Sequence, residues 1–298
     1  MTKPDLRPAV PLQPPEPAAV ETLRAEPGFP AAAQAAAASI AELYRGHWLL
    51  NRLISDRGRF VLSLMILDLH FGGGCGAADG GLTTGRLKAL ATTHGVCSPG
   101  RAGAVLASMR LFGLVASAPS SDRRRHRLVP TERLIAMHCE RLRRMFQAMA
   151  AVVPEGRRAE ALIVRDDFLA AHVHQMVGLF LSGLRIVEAV PETEVFADRD
   201  AGMMIAFAVL VASRPDDEGD GSGVAVADLA RRFSVSRAHV LSVLRDAEQA
   251  GLVRRSSAGR TVATPALAAA VEEFFATLFL LQVSCVRAAE ASLGLDAT

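Results

Sequence analysis

Lysine is nearly missing from this chain of 298 residues: Lys3 and Lys88 are the only two, and arginine supplies the rest of the 33 basic residues. Alanine abundance accompanies that bias, so the preference for arginine is read as genome composition rather than as a taste for one base. Cysteine is scarce and scattered at 75, 97, 139 and 285, with no CxxC pair. With no signal peptide apparent either, a reducing cytoplasm is the expected setting. The longest uncharged apolar runs, near Met203–Ala212 and Phe274–Val286, fall short of the roughly 18 to 20 residues needed to cross a bilayer, so no membrane partner is expected. Net charge is only +2, too small to name a partner by itself. No Ser/His/Asp, Cys/His or carboxylate constellation converges in the sequence, and no cofactor fingerprint appears. The glycine-rich loop 72–81 lacks the lysine and spacing of a phosphate-binding loop. His172 and His174 lie two apart, which on a helix points them in different directions and argues against a metal pair. Neither an enzyme, a cofactor nor a metal is expected.

What is present is a stretch from Val224 to Thr264. VAVADLARRF spaces Val226, Leu229, Ala230 and Phe233 along one helical face, and Ser234-Val235 makes a turn. Ser236 can then cap a second helix in which Val240, Leu244 and Ala247 repeat at helical spacing, with Gly251 at its end. LVRR, the turn SSAG and RTVATP follow as two short strands. Helix, turn, helix and an arginine-bearing hairpin describe a winged helix-turn-helix, a DNA-reading module.

The pattern occurs twice. Aligning Gly113-Leu114-Val115 with Gly251-Leu252-Val253 superposes LKALATTHGVCSPGRAGAVLASMRLFGLV on the later stretch. Ser98 falls opposite Ser236, and Ser98-Pro99 is a good helix start. Leu82-Thr83 is expected to pair with the first wing, and Thr83 or Thr84 to cap the helix that follows. That wing is longer and carries Arg123, Arg124, Arg125, His126 and Arg127. Upstream, SDRGRFVLSLMILDL (55–69) matches ADRDAGMMIAFAVLVAS (197–213). Charge follows the repeat: Arg86 to Arg133 holds nine Lys/Arg against two acids, and Val224 to Arg260 seven Arg against three. Positive charge therefore gathers where phosphates would need it.

Around these segments the chain reads as helices. Residues 1–30 hold eight of the fifteen prolines and are expected to be a disordered tail. Ala31 to Ile54 is expected as one helix carrying Tyr44 and Trp48, which could line a ligand pocket or pack on a partner helix. Gly58 to Phe71 is a buried helix, Thr131 to Val153 a long one, and 154–165 a linker. Residues 166–190 open the second half, and 191–200 form an acidic connector. A strongly apolar helix, Pro265 to Leu293, is expected to pack on the other half. Cys97 could sense oxidants or be an inert buried thiol. The expected fold class is mainly α with small β-wings: two winged helix-turn-helix domains, in a first repeat over 31–153 and a second over 166–298, plus long helices forming a dimerisation-like helical domain.

This order resembles the MarR family of bacterial transcription regulators, on LATTHGVCSPGRAGAVLASMRLFGLV, DRRRHRLVPTERL and DLARRFSVSRAHVLSVLRDAEQAGLVRR. The resemblance implies recognition helices in the major groove and wing arginines in the minor groove. It implies a dimer built on the first and last helices, and it permits an unspecified small-molecule effector. Here both copies lie in one chain, which implies an intramolecular pseudo-dimer, with further pairing of whole chains left open. The expected partner is double-stranded DNA, read by Ser98, Pro99, Arg101, Ser236, Arg237 and His239, with Arg123, Arg124, Arg125, Arg127, Arg254, Arg255 and Arg260 in the wings. A sequence-specific regulator is expected, by default a repressor associated with the nucleoid. The alternative is an architectural or protein-interaction protein that binds DNA without regard to sequence.

Overall fold

A computed structural model describes residues 12–46, 51, 53–72, 81–118, 127–213 and 223–295. The protein is mainly helical, 70% helix, with two small two-stranded sheets. In chain order the elements are α1 (Pro17–Arg24), α2 (Phe29–Leu43), α3 (Arg57–Phe71), α4 (Thr84–Thr93), α5 (Pro99–Leu111), β1 (Val115–Ser117), β2 (Leu128–Pro130) and α6 (Glu132–Met149). They continue with α7 (Pro154–Leu162), α8 (Asp166–Leu181), the short α9 (Ile186–Ala189) and α10 (Glu194–Ala197), and α11 (Gly202–Ala212). The chain then runs through α12 (Val226–Phe233), α13 (Arg237–Gln249), β3 (Val253–Arg255), β4 (Thr261–Ala263) and α14 (Pro265–Ser292).

Local chemistry sets most of these boundaries. Asp56 accepts the Arg59 amide at 2.8 Å to start α3, Thr83 accepts that of Arg86 at 3.2 Å to start α4, and Ser98 that of Arg101 at 3.3 Å to start α5. Ser236 does the same for His239 at 3.1 Å. After each hairpin a threonine ties the chain back to the glycine that ended the preceding helix. Thr131 Oγ1 donates to the carbonyls of Gly113 and Leu114 at 2.8 and 3.2 Å, and Thr264 Oγ1 to those of Gly251 and Leu252 at 2.7 and 2.9 Å. Both hairpins are antiparallel, with Ala116 opposite Val129 and Arg254 opposite Val262. Each three-rung hairpin gains one further bridge from upstream: Leu82 to Leu128, and Val224 to Thr261.

Three expectations need correction. Residues 17–30 are not a disordered tail: α1 buries Val20 and Leu23, and Phe29 is fully buried at the start of α2. The supposed linker 154–165 is likewise mostly α7. Both errors come from reading proline as a breaker. Pro17 and Pro154 sit at the first helical position, and Pro30 lies in a first turn, where the missing N–H costs nothing. The helix expected over 31–54 ends at Leu43, with Gly46 turning at φ +69°. Residues 1–11 and Trp48 lie outside the described residues. The acidic connector 191–200 contains a 3-10 turn (Pro191–Thr193) and α10.

With α1 matched to α7, each copy is longer than expected, and the two interlock. α2 of the first copy packs on α11 of the second, and α8 of the second on α3 of the first. α1 lies on α14 and α7 on α6, again across copies. The buried side chains accordingly form one continuous core instead of two. At its centre Phe29 meets Phe279 edge-on, with ring centroids 6.1 Å apart. α14 packs on both copies, as expected of so apolar a helix. Its 28 residues contain an 18-residue window of mean hydropathy 1.7, enough by length and composition to cross a membrane. Of that window 56% is buried inside the protein, and core helices pass the same test.

Candidate nucleic-acid interface

The expected reading residues fall into two groups, those that face outward and those already held by the protein. Pro99 and Arg237 stand exposed at the starts of α5 and α13, and Arg254 and Arg255 are exposed on β3. Among the described residues none of these three arginines makes an ion pair. Ser98 and Ser236 are spent on capping, although both remain exposed.

Arg101, His239 and Arg260 are held, and Arg127 lies against Gly81. Arg101 is half exposed, its guanidinium 3.6 Å from the buried carboxylate of Asp56. His239 Nε2 lies 2.8 Å from the carbonyl oxygen of Asp200. Arg260 turns back along its own hairpin, donating from Nε and a terminal nitrogen to the Gly223 carbonyl at 3.0 and 2.7 Å. Gly223 has φ +91°, and a Cβ there would run into the Thr261 carbonyl, so the close approach needs glycine. Arg127 occupies the matching place in the first copy: a Cβ on Gly81 would lie 2.7 Å from its guanidinium. Arg260 thus braces the root of the second hairpin; in the first, the Gly81 carbonyl accepts from Arg86 at 2.9 Å. Arg123, Arg124 and Arg125 lie outside the described residues.

A set of charged residues that sequence reasoning did not single out connects α5 and α13. Arg59 contacts Asp56 at 3.0 Å and Asp200 at 3.0 Å, so one guanidinium joins the acid that meets Arg101 to the residue that meets His239. Beside it Arg57 donates to Asp198 at 2.8 Å across the copies. Arg199 bonds Ser242 at 3.5 Å and pairs with Asp246, both on α13. The signal was in the sequence: Ser55-Asp56-Arg57 and Ala197-Asp198-Arg199 are the start of the upstream match between copies.

No family model, curated protein or solved structure matches this chain.

The remaining titratable groups are structural. His174 Nδ1 meets buried Asp68 at 2.9 Å, joining α8 to α3. His172 packs against Phe146 and Phe168, with Gln282 nearby. It is fully buried, and among the described residues neither ring nitrogen has a hydrogen-bond partner within 3.5 Å. His138 Nε2 lies 3.0 Å from Ser63 Oγ, and burial, aided by Arg141, pushes its pKa down to about 3. Cys97 is partly buried, and that burial raises its thiol despite nearby Arg101. A raised thiol fits the inert alternative better than an oxidant sensor.

Proposed function

We propose that this protein is a DNA-binding transcription regulator in which one chain carries two winged helix-turn-helix readers, an intramolecular version of the MarR-like dimer. The observation that carries this reading is the repetition itself. Twice the chain builds helix, turn, Ser-capped helix and three-rung hairpin, and it mounts both copies on one interlocked helical core. Phosphate contacts fall to Arg237, Arg254 and Arg255, and to the cluster Arg123–Arg125 with its high charge density. Pro99, Arg101, Arg237 and His239 begin the helices that would enter the major groove. The two readers differ, Pro99-Gly100-Arg101 against Arg237-Ala238-His239. The preferred site is therefore two unequal half-sites about one turn of DNA, roughly 34 Å, apart.

Selection of bound DNA from a random duplex pool near physiological salt tests this. Two unequal half-sites about ten base pairs apart are the expected result. A perfect inverted repeat would overturn the unequal readers. Salt-sensitive binding without an enriched motif would replace the regulator with an architectural protein, and no binding at all would leave two protein-interaction modules.

A further inference from the structure

The polar contacts between the copies converge on one turn, residues 198–201, which leads into α11. Three arms from the first copy reach it. Arg57 donates to Asp198 at 2.8 Å, Arg59 contacts Asp200 at 3.0 Å, and Ser55 Oγ accepts the Ala201 amide at 3.3 Å. The Ser55 hydroxyl is itself aimed by donating to the Asn51 carbonyl. The turn has little slack. Ala201 is fully buried and left-handed at φ +54°, a costly conformation for a residue with a Cβ. On its neighbour Gly202 a Cβ would lie 2.1 Å from the Phe196 carbonyl, so the backbone is folded tightly onto α10.

Both α5 and α13 are tied to this turn or to the arms that grip it. α13 is tied twice: His239 Nε2 lies 2.8 Å from the Asp200 carbonyl oxygen, and Arg199 pairs with Asp246. α5 is tied through Arg101, 3.6 Å from Asp56. Arg59 joins the two anchorages, with Asp56 and Asp200 each at 3.0 Å. A single exposed ion pair contributes little, but Asp56 is buried, and three contacts act on one short turn. The grip is also one-sided. In the match between copies Ser55 falls opposite Ala197 and Arg59 opposite Ala201, so the second copy lacks these two arms. Two identical subunits would carry the grip twice or not at all.

We propose that this grip fixes the separation of α5 and α13, with Arg59 as the positioning residue, and that it restricts the protein to one spacing between two DNA half-sites. The spacing claim rests on the DNA-reading function proposed above; the fixed separation does not. One base pair inserted between half-sites displaces one of them by about 3.4 Å and rotates it by about a tenth of a turn. Helices held on a fixed frame cannot follow that change.

Two measurements on the full chain test the two parts. Spin labels on a ketone-bearing amino acid at the matching exposed positions Ala107 of α5 and Arg245 of α13 report their distance distribution by pulsed electron paramagnetic resonance, without DNA. One narrow distance is expected, and Arg59→Met should broaden it or add a second. Asp200→Ala removes the acceptor at an exposed position; it should do the same, and it serves where Arg59→Met does not fold. The second measurement takes the selected half-sites and lengthens or shortens the spacer by one base pair. The unaltered chain should lose about tenfold or more in affinity, as for a mismatched base pair. Arg59→Met should tolerate the changed spacers almost equally while binding a lone half-site as before. A broad distribution in the unaltered chain, or one unchanged in a folded variant, would overturn the fixed separation. Equal affinity across spacers, or a preference that survives Arg59→Met, would overturn the spacing claim alone. Failure to bind any DNA would overturn the DNA-reading function and the spacing claim with it, and the distance measurement would still decide the grip.

Discussion

The burial of His172 predicts how stability responds to acid. The imidazole lies between the rings of Phe146, edge-on at 5.3 Å, and Phe168, stacked at 6.0 Å, at the seam where α8 meets the first copy. Burial pushes its pKa down to about 4, with the nearby Gln282 offsetting part of the effect. An unfolded histidine titrates near 6.5. Above that value both states are neutral and pH has no effect. Below it the unfolded chain takes a proton that the folded chain refuses, so stability falls with pH until the folded group titrates. Each such group costs about 1.4 kcal/mol per pH unit, or about 2 kcal/mol at pH 5. His138, held near 3, adds a similar amount. Replacing His172 with leucine should remove about half of this loss. It should leave the protein at least as stable at pH 7.5, because two unpartnered buried nitrogens disappear. Urea unfolding at pH 7.5 and 5.0, for wild type and His172→Leu, measures both effects. An acid-side loss unchanged in the variant would refute the reasoning, because it would mean the ring finds a polar partner in solution.

Other perturbations probe different parts of the molecule. Phe29→Ala removes a fully buried ring from the seam and should cost about 3–5 kcal/mol. Its urea curve should stay a single transition because the core is shared, whereas two separated transitions would indicate independent halves. Asp56→Asn keeps the helix cap but discharges the acid that meets Arg59 and Arg101. It should cost about 1–3 kcal/mol, and full stability in the variant would show that these contacts are idle. In a Cys75→Ser background, Cys285 should resist a thiol reagent at pH 7.5 until the chain unfolds, since complete burial pushes its thiol far up. Cys97 and Cys139, raised less, should react slowly in the native state, and rapid labelling of Cys285 would contradict the packing.

The parts of the fold that were legible in the sequence are those governed by local chemistry. Thr83, Ser98 and Ser236 announce their helices because a hydroxyl followed by a helical run has one common use, and each accepts the expected amide. The hairpins follow from short β-rich segments joined by turns, and the rung at Leu82 from its position in the repeat. α14 begins at Pro265 and ends within a residue of its expected limit. That α14 reaches the other half was legible, but the cross-copy pairing of α2 with α11 and of α8 with α3 was not. Periodicity shows which face of α2 or α8 is apolar, but not that α11 or α3 is what covers it. The sequence also could not show which arginines of the candidate site are spent. Arg260 and Arg254 look alike on a hairpin, yet one grips the Gly223 carbonyl and the other faces out.

The interlocked core has a consequence for how the protein behaves at low abundance. Two separate subunits joined by such an interface would come apart on dilution, and their folded state would depend on concentration. Here the partner of every seam residue is tethered to it, and the local concentration of one half around the other is fixed by the chain. A cell holding only a few copies would keep every one assembled, always with one copy of each half. A defect in either half could not be diluted out by a healthy copy, because the two are inherited and degraded as one molecule.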